Sequence, residues 1–190
     1  HALSFECNFS GNIESVSESG DLSQLPSAWQ NVVVGDSFYG TLSYGYSIEP
    51  VAVSSGSGYG NYHPGYGSTD FYIHYTIHIG EITIFRNISN MEQFFTISDN
   101  ALDQFYIYDE LPISTSGNYI EYTSFNFVDD TGSVFDSTEI PGSLDGDRFT
   151  SRELQIFAFE NGYDPAILIA GGINSITPRA VPVPEPATFF

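Results

Sequence analysis

The chain contains no lysine and only four arginines, Arg86, Arg148, Arg152 and Arg179, against 24 aspartates and glutamates, so its formal net charge is −20. A surface of that sign repels phosphate backbones and anionic headgroups, which makes nucleic acid and acidic lipid poor partners. Cysteine is nearly absent too. The single Cys7 rules out an internal disulfide framework, and a lone thiol within an apolar alternation reads as a core residue. No run of 18 apolar residues occurs, the nearest being Ala-Ile-Leu-Ile-Ala-Gly-Gly-Ile at 166–173, so nothing in the sequence reads as a membrane-spanning helix. Helical spacing is confined to Leu22, Leu25 and Trp29, where Pro26 intervenes and leaves room for a turn of helix at most. The first residue is His1 rather than Met, the expectation being that a signal peptide has been removed.

What is present is β-strand grammar. Leu3 to Val16 alternates Leu3, Phe5, Cys7 and Phe9 with polar residues, the period of a half-buried strand. Val32 to Val34 stops at Gly35-Asp36, and Phe38 to Tyr46 resumes with aromatic and β-branched residues. Later strands fall at Phe94 to Ser98, Gln104 to Tyr108, Tyr119 to Val128, Glu153 to Glu160 and Ala166 to Ile176, separated by clusters of turn residues. The sharpest local signal is Phe71 to Ile88, where Gly80-Glu81 forms a two-residue turn. Register then follows: Ile79 opposite Ile82, Ile77 opposite Ile84 and Ile73 opposite Ile88 on a core face. His78 with Thr83, Thr76 with Phe85 and His74 with Asn87 form a face able to meet water or a partner. About nine to twelve strands with almost no helix predict an all-β fold, an antiparallel two-sheet β-sandwich of jelly-roll type. Its expected extent is residues 1–177, with a Pro-rich tail at 178–190. No repeat period suggests a solenoid or propeller.

The glycine- and tyrosine-rich stretch Ser54 to Ser68 excludes a helix and reads as a surface loop. Tyr59, Tyr62 and Tyr66 would there offer flat amphipathic contact surfaces to a sugar or a neighbouring subunit. It has no strand-to-helix context for a phosphate loop.

Catalytic patterns are missing. His74 and His78 stand about 13 Å apart along a strand, too far to share one metal ion. His63 lies in the glycine-rich loop without supporting metal-ligand spacing, and His1 would need a second His nearby to chelate copper. No Gly-x-Ser-x-Gly elbow occurs, and no carboxylate pair singles itself out among the 24 acids. The acidic turns holding Asp129, Asp130, Asp145 and Asp147 offer oxygen ligands of the kind calcium takes. Asn8-Phe-Ser10 and Asn87-Ile-Ser89 match the glycosylation sequon.

The last ten residues, Val181-Pro-Val-Pro-Glu-Pro-Ala-Thr-Phe-Phe190, carry proline at every second position. An extended segment here keeps N–H donors on one edge only, able to pair on that side and to end a sheet on the other. Val183-Pro184-Glu185-Pro186-Ala187-Thr188 resembles the start of the PEP-CTERM sorting signal of exported bacterial proteins. In that family an apolar membrane segment and a short basic tail follow, and the membrane protease exosortase processes the signal. Phe9-Ser-Gly-Asn-Ile13 and Val34-Gly-Asp-Ser-Phe-Tyr-Gly-Thr-Leu-Ser-Tyr44 are also similar to segments that recur in small secreted members. The resemblance implies an extracellular or cell-surface location, a β-sandwich and no catalytic residues.

The expectation is therefore a non-catalytic structural protein of the bacterial surface or biofilm matrix, self-assembling through sheet edges and the tail. Phe189 and Phe190 would insert into a neighbouring copy, giving a fibre or sheath, the alternative being that the tail docks on its own domain. The alternative is a carbohydrate-binding module that retains exopolysaccharide. Exosortase during export and further copies of the chain are the expected partners, with Ca²⁺ the one expected ion.

Overall fold

The computed structural model describes residues 3–19, 22, 25–47, 52, 54–56, 58–62, 70–88, 94–112, 119–160 and 165–179. Eleven strands run in chain order as β1 Leu3–Glu18, β2 Ser37–Tyr46, β3 Ser54–Gly56, β4 Tyr59–Tyr62, β5 Tyr72–Ile79, β6 Ile82–Ile88, β7 Phe94–Ser98, β8 Asp103–Pro112, β9 Tyr119–Asp129, β10 Ser151–Glu160 and β11 Pro165–Pro178. A single turn of helix, α1 Ser27–Gln30, buries Trp29. The strands appear where alternation placed them, with two differences. The 32–36 segment turns instead of extending, and Ser54 to Tyr62, expected as loop, contributes β3 and β4.

The architecture corrects one expectation. All eleven strands belong to one antiparallel sheet, ordered β3-β4-β7-β8-β9-β10-β11-β1-β2-β5-β6, which curls into a half-barrel in place of two separate jelly-roll sheets. Its two halves still meet face to face. Phe9 on β1 and Tyr75 on β5 each approach Phe125 on β9 edge-on, with ring centroids 5.3 Å apart. Tyr44 on β2 lies 5.7 Å from Phe105 on β8. The hydrogen-bond ladder remains continuous because β11 bridges β10 to β1.

Glycines and bulges explain the bend. The register of β1 against β11 shifts between Ser10 and Gly11 and again between Ile13 and Ser15, and such irregularities raise local twist and bend a strand. Gly11, Gly40 and Gly171 lie in this region, and Cβ atoms there would come within 2.4, 2.6 and 2.6 Å of the rings of Phe38, Phe9 and Phe38 respectively. The glycines thus let large inward rings cross the coiled part of the sheet.

The interior is aromatic. Phe95, Phe105 and Phe127 follow one another with centroid spacings of 4.6 and 5.5 Å, edge to face, the arrangement that ring quadrupoles favour. The long connection at 130–150 closes one end. Phe135, Ile140, Leu144 and Phe149 are buried, Tyr44 donates to the carbonyl of Pro141 at 2.8 Å, and Tyr62 donates to that of Thr138 at 2.8 Å. Leu25, Trp29 and Val32 are buried in the segment joining β1 to β2. A polar clasp ties the halves together: Tyr75 on β5 donates to the Asp109 carboxylate on β8 at 2.6 Å, and Arg86 on β6 lies 3.4 Å from it. Burial first, then the Asp109 charge, push the Tyr75 phenol well up, so it stays a protonated donor.

Candidate functional site

Outward positions of β11, β1, β2, β5 and β6 line up in register. One transverse row runs Ser175, Ser10, Tyr39, His78, Thr83, one residue from each strand. Its members touch: Ser10 and Ser175 share a hydroxyl hydrogen bond of 2.9 Å. Tyr39 and His78 stack with centroids 4.8 Å apart and planes 22° from parallel. His78 Nδ1 lies 3.1 Å from Thr83 Oγ1. A second row, two residues along each strand, runs Thr177, Asn8, Thr41, Thr76, Phe85.

Between the rows lies a groove of about 530 Å³, walled by Ser10, Tyr39 and His78 on one side and by Asn8, Thr41 and Thr76 on the other. Gly40 lies in its floor. Alternation accounts for the arrangement. Phe38, Gly40, Leu42 and Tyr44 face inward and are buried, so the residues between them must face outward. Tyr39 is accordingly 60 % exposed and Phe85 63 % exposed, although nothing in their own packing requires aromatic side chains there.

The second feature is the rim of the sheet. Among the described strands β6 is the last of the sheet and runs seven residues, Ile-Thr-Ile-Phe-Arg-Asn-Ile, without an acid. The opposite rim, β3, is three residues long. In a two-residue hairpin, the residues flanking the turn hydrogen-bond to each other and the pattern then alternates. Thr83, Phe85 and Asn87 therefore turn their backbone groups toward the side of β6 that no described strand pairs, where the Phe85 carbonyl accepts from the Arg86 guanidinium at 3.0 Å.

The acidic turns are self-contained. Asp129 is 1 % exposed and accepts from the N–H of Thr131 and of Ser133, at 3.0 and 2.8 Å, and from both hydroxyls. The Ser133 N–H foremost, opposed by burial and joined by the Thr131 donors, holds its pKa down at about 2. Asp130 is exposed. Asp145 accepts from the Asp147 N–H at 3.2 Å, and Asp147 lies 3.7 Å from Arg152. Among the described residues no three His, Cys, Asp or Glu side chains converge into a metal-holding group.

The tyrosines separate. Tyr59 on β4 is 40 % exposed, whereas Tyr62 points inward and is buried, so the two do not share a contact face. Tyr66, His63 and the segment Val181 to Phe190, with Val183, Pro184, Glu185, Pro186, Ala187, Thr188, Phe189 and Phe190, lie outside the described residues. Among those described, no helix is long and apolar enough to cross a membrane. Tyr39 went unnoticed in the sequence although the alternation of β2 marks it as outward. No family model matches the chain, and neither a curated protein nor a solved structure is found similar to it.

Proposed function

We propose that the protein is a non-catalytic structural protein of the bacterial surface or extracellular matrix, exported with a PEP-CTERM-like signal, and that it self-associates through the open side of β6. The supporting observation is the composition of that strand. In a chain of net charge −20, a seven-residue rim strand with no acid, one arginine and a 63 % exposed phenylalanine at its midpoint is where two copies can approach with least repulsion. Natural rim strands normally carry charges or prolines that discourage pairing; this one has no proline, and its one charge, Arg86, is 13 % exposed beside Asp109 and donates to the Phe85 carbonyl. Antiparallel pairing about a two-fold axis would set Phe85 opposite Phe85, and Thr83 opposite Asn87 of the second copy. A self-complementary contact of this kind closes on itself as a dimer.

The test is position-specific cross-linking. Cys7 is buried, so a Phe85→Cys chain has one accessible thiol, and directly paired Cα atoms lie about 5.5 Å apart, within disulfide reach. Mild oxidation should give a covalent dimer with Phe85→Cys and none with Thr83→Cys. Equal yields, or none from either, would refute the pairing. A dimer that forms only while residues 181–190 are present would assign the contact to the tail.

A further inference from the structure

We infer that the groove between the two outward rows is a binding site for an uncharged polysaccharide chain lying across the strands. The inference does not depend on the pairing of β6.

Charge decides first. The lining contains no arginine, aspartate or glutamate, although acids make up 24 of the 190 residues and lysine is absent throughout. An anionic ligand would find no cation there, and a metal ion would find no carboxylate. A purely apolar ligand would cover the hydroxyls of Thr41 and Thr76 and the amide of Asn8 without satisfying them, at a cost of roughly 1–3 kcal/mol for each group left unpaired. A neutral polyol with both apolar faces and hydroxyl edges satisfies all these constraints. Its edges exchange donors and acceptors with the hydroxyl and amide walls, and its C–H face lies on an aromatic ring.

Shape agrees with chemistry. The volume of about 530 Å³ falls within the range of small-ligand sites, roughly 300–1,000 Å³. The walls are separated by two residues along a strand, about 7 Å, and cross four strands, about 14 Å. The trough is thus long enough for a short run of rings. Tyr39 supplies the platform with the ring face that His78 leaves uncovered. It stacks on His78, which Thr83 holds in turn, so little side-chain freedom remains to be lost on binding.

The 190-residue chain should bind a neutral hexasaccharide from a panel of cello-, xylo- and malto-oligosaccharides in titration calorimetry, and should bind an alginate hexasaccharide at least tenfold more weakly. Tyr39→Ala should weaken the neutral interaction at least tenfold with an unchanged melting temperature, because the side chain points outward. Thr41→Arg, which fills the trough from its wall, should do the same. Phe85→Asp should leave saccharide binding intact while removing association through β6, so that the two proposals fail separately. Absence of binding to every neutral probe, preference for alginate, or full binding by Tyr39→Ala would each overturn the site.

Discussion

Phe9 lies across Gly40, and Phe38 lies across Gly11, on strands where Phe9 is paired with Gly40 and Gly11 with Phe38. Each strand supplies one ring and one gap, so the two interlock beside the register shifts of β1. A Cβ at Gly40 would meet the Thr76 carbonyl oxygen at 1.9 Å as well as the Phe9 ring. Backbone cannot move aside as a side chain can. Gly40→Ala should therefore destabilise the fold by about 1–3 kcal/mol or more through overpacking. Gly35→Ala meets nothing within 4 Å and strains only its φ of +97°, so it should cost about 1 kcal/mol. Urea denaturation of the two variants gives the comparison, and a smaller loss for Gly40→Ala would disprove the interlock.

The Asp109 clasp predicts a graded series. Asp109→Ala leaves the Arg86 guanidinium, 13 % exposed, without its carboxylate, and should cost about 3–5 kcal/mol. Tyr75→Phe removes one buried donor to a charged acceptor and should cost about 1.5–3 kcal/mol. Chemical denaturation should rank Asp109→Ala as the more damaging; the reverse order would mean that the tyrosine, and not the ion pair, holds the two halves.

Asp129 sets part of the acid limb of stability. Its folded pKa, about 2, lies below the ordinary value of 3.8, so the unfolded chain binds its proton first as pH falls. The contribution is fully present above about pH 4 and is lost as pH descends through about 2. Asp129→Asn should flatten melting temperature against pH between those values and leave the slope above pH 5 unchanged. An unaltered acid limb would show that the turn does not depend on the carboxylate.

Cys7 should be silent toward thiol reagents. Burial foremost pushes its thiol up to about 12, and the residue is 1 % exposed, so almost no thiolate exists at neutral pH. Iodoacetamide at pH 8 should label it only at the rate of global unfolding, and labelling should become stoichiometric in concentrated urea. Rapid native labelling would mean that β1 and β2 separate locally.

The hairpin β5–β6 was legible residue by residue, because a two-residue turn leaves one register. Seven pairs from Ile73↔Ile88 to Ile79↔Ile82 follow from it. Strand positions elsewhere were legible from alternation. The single curled sheet was not, since it depends on pairing β11 with β1 across more than 150 residues of chain, as in Ser10↔Ser175, and local pattern carries no information about such a closure. Tyr62 was misjudged for a related reason. Surrounded by glycine and polar residues, it has no alternating neighbours to reveal its face, and its burial comes from the distant Thr138 carbonyl. The groove residues were visible one strand at a time, but their assembly into rows required the sheet order.

That order has a consequence for binding strength. β2, at the centre of the groove, lies two strands from the rim, so joining two copies at β6 would put their troughs on one continuous surface. They would lie five strand spacings apart, roughly 24 Å, and be staggered along the strands by about 7 Å. A long polymer held by one copy would then meet the second trough at an effective concentration set by its own span rather than by the bulk solution, so modest single-site affinity could become durable attachment. The covalent Phe85→Cys dimer should therefore retain a high-mass neutral glycan far longer than the monomer does, while a hexasaccharide, too short to bridge, should not distinguish the two.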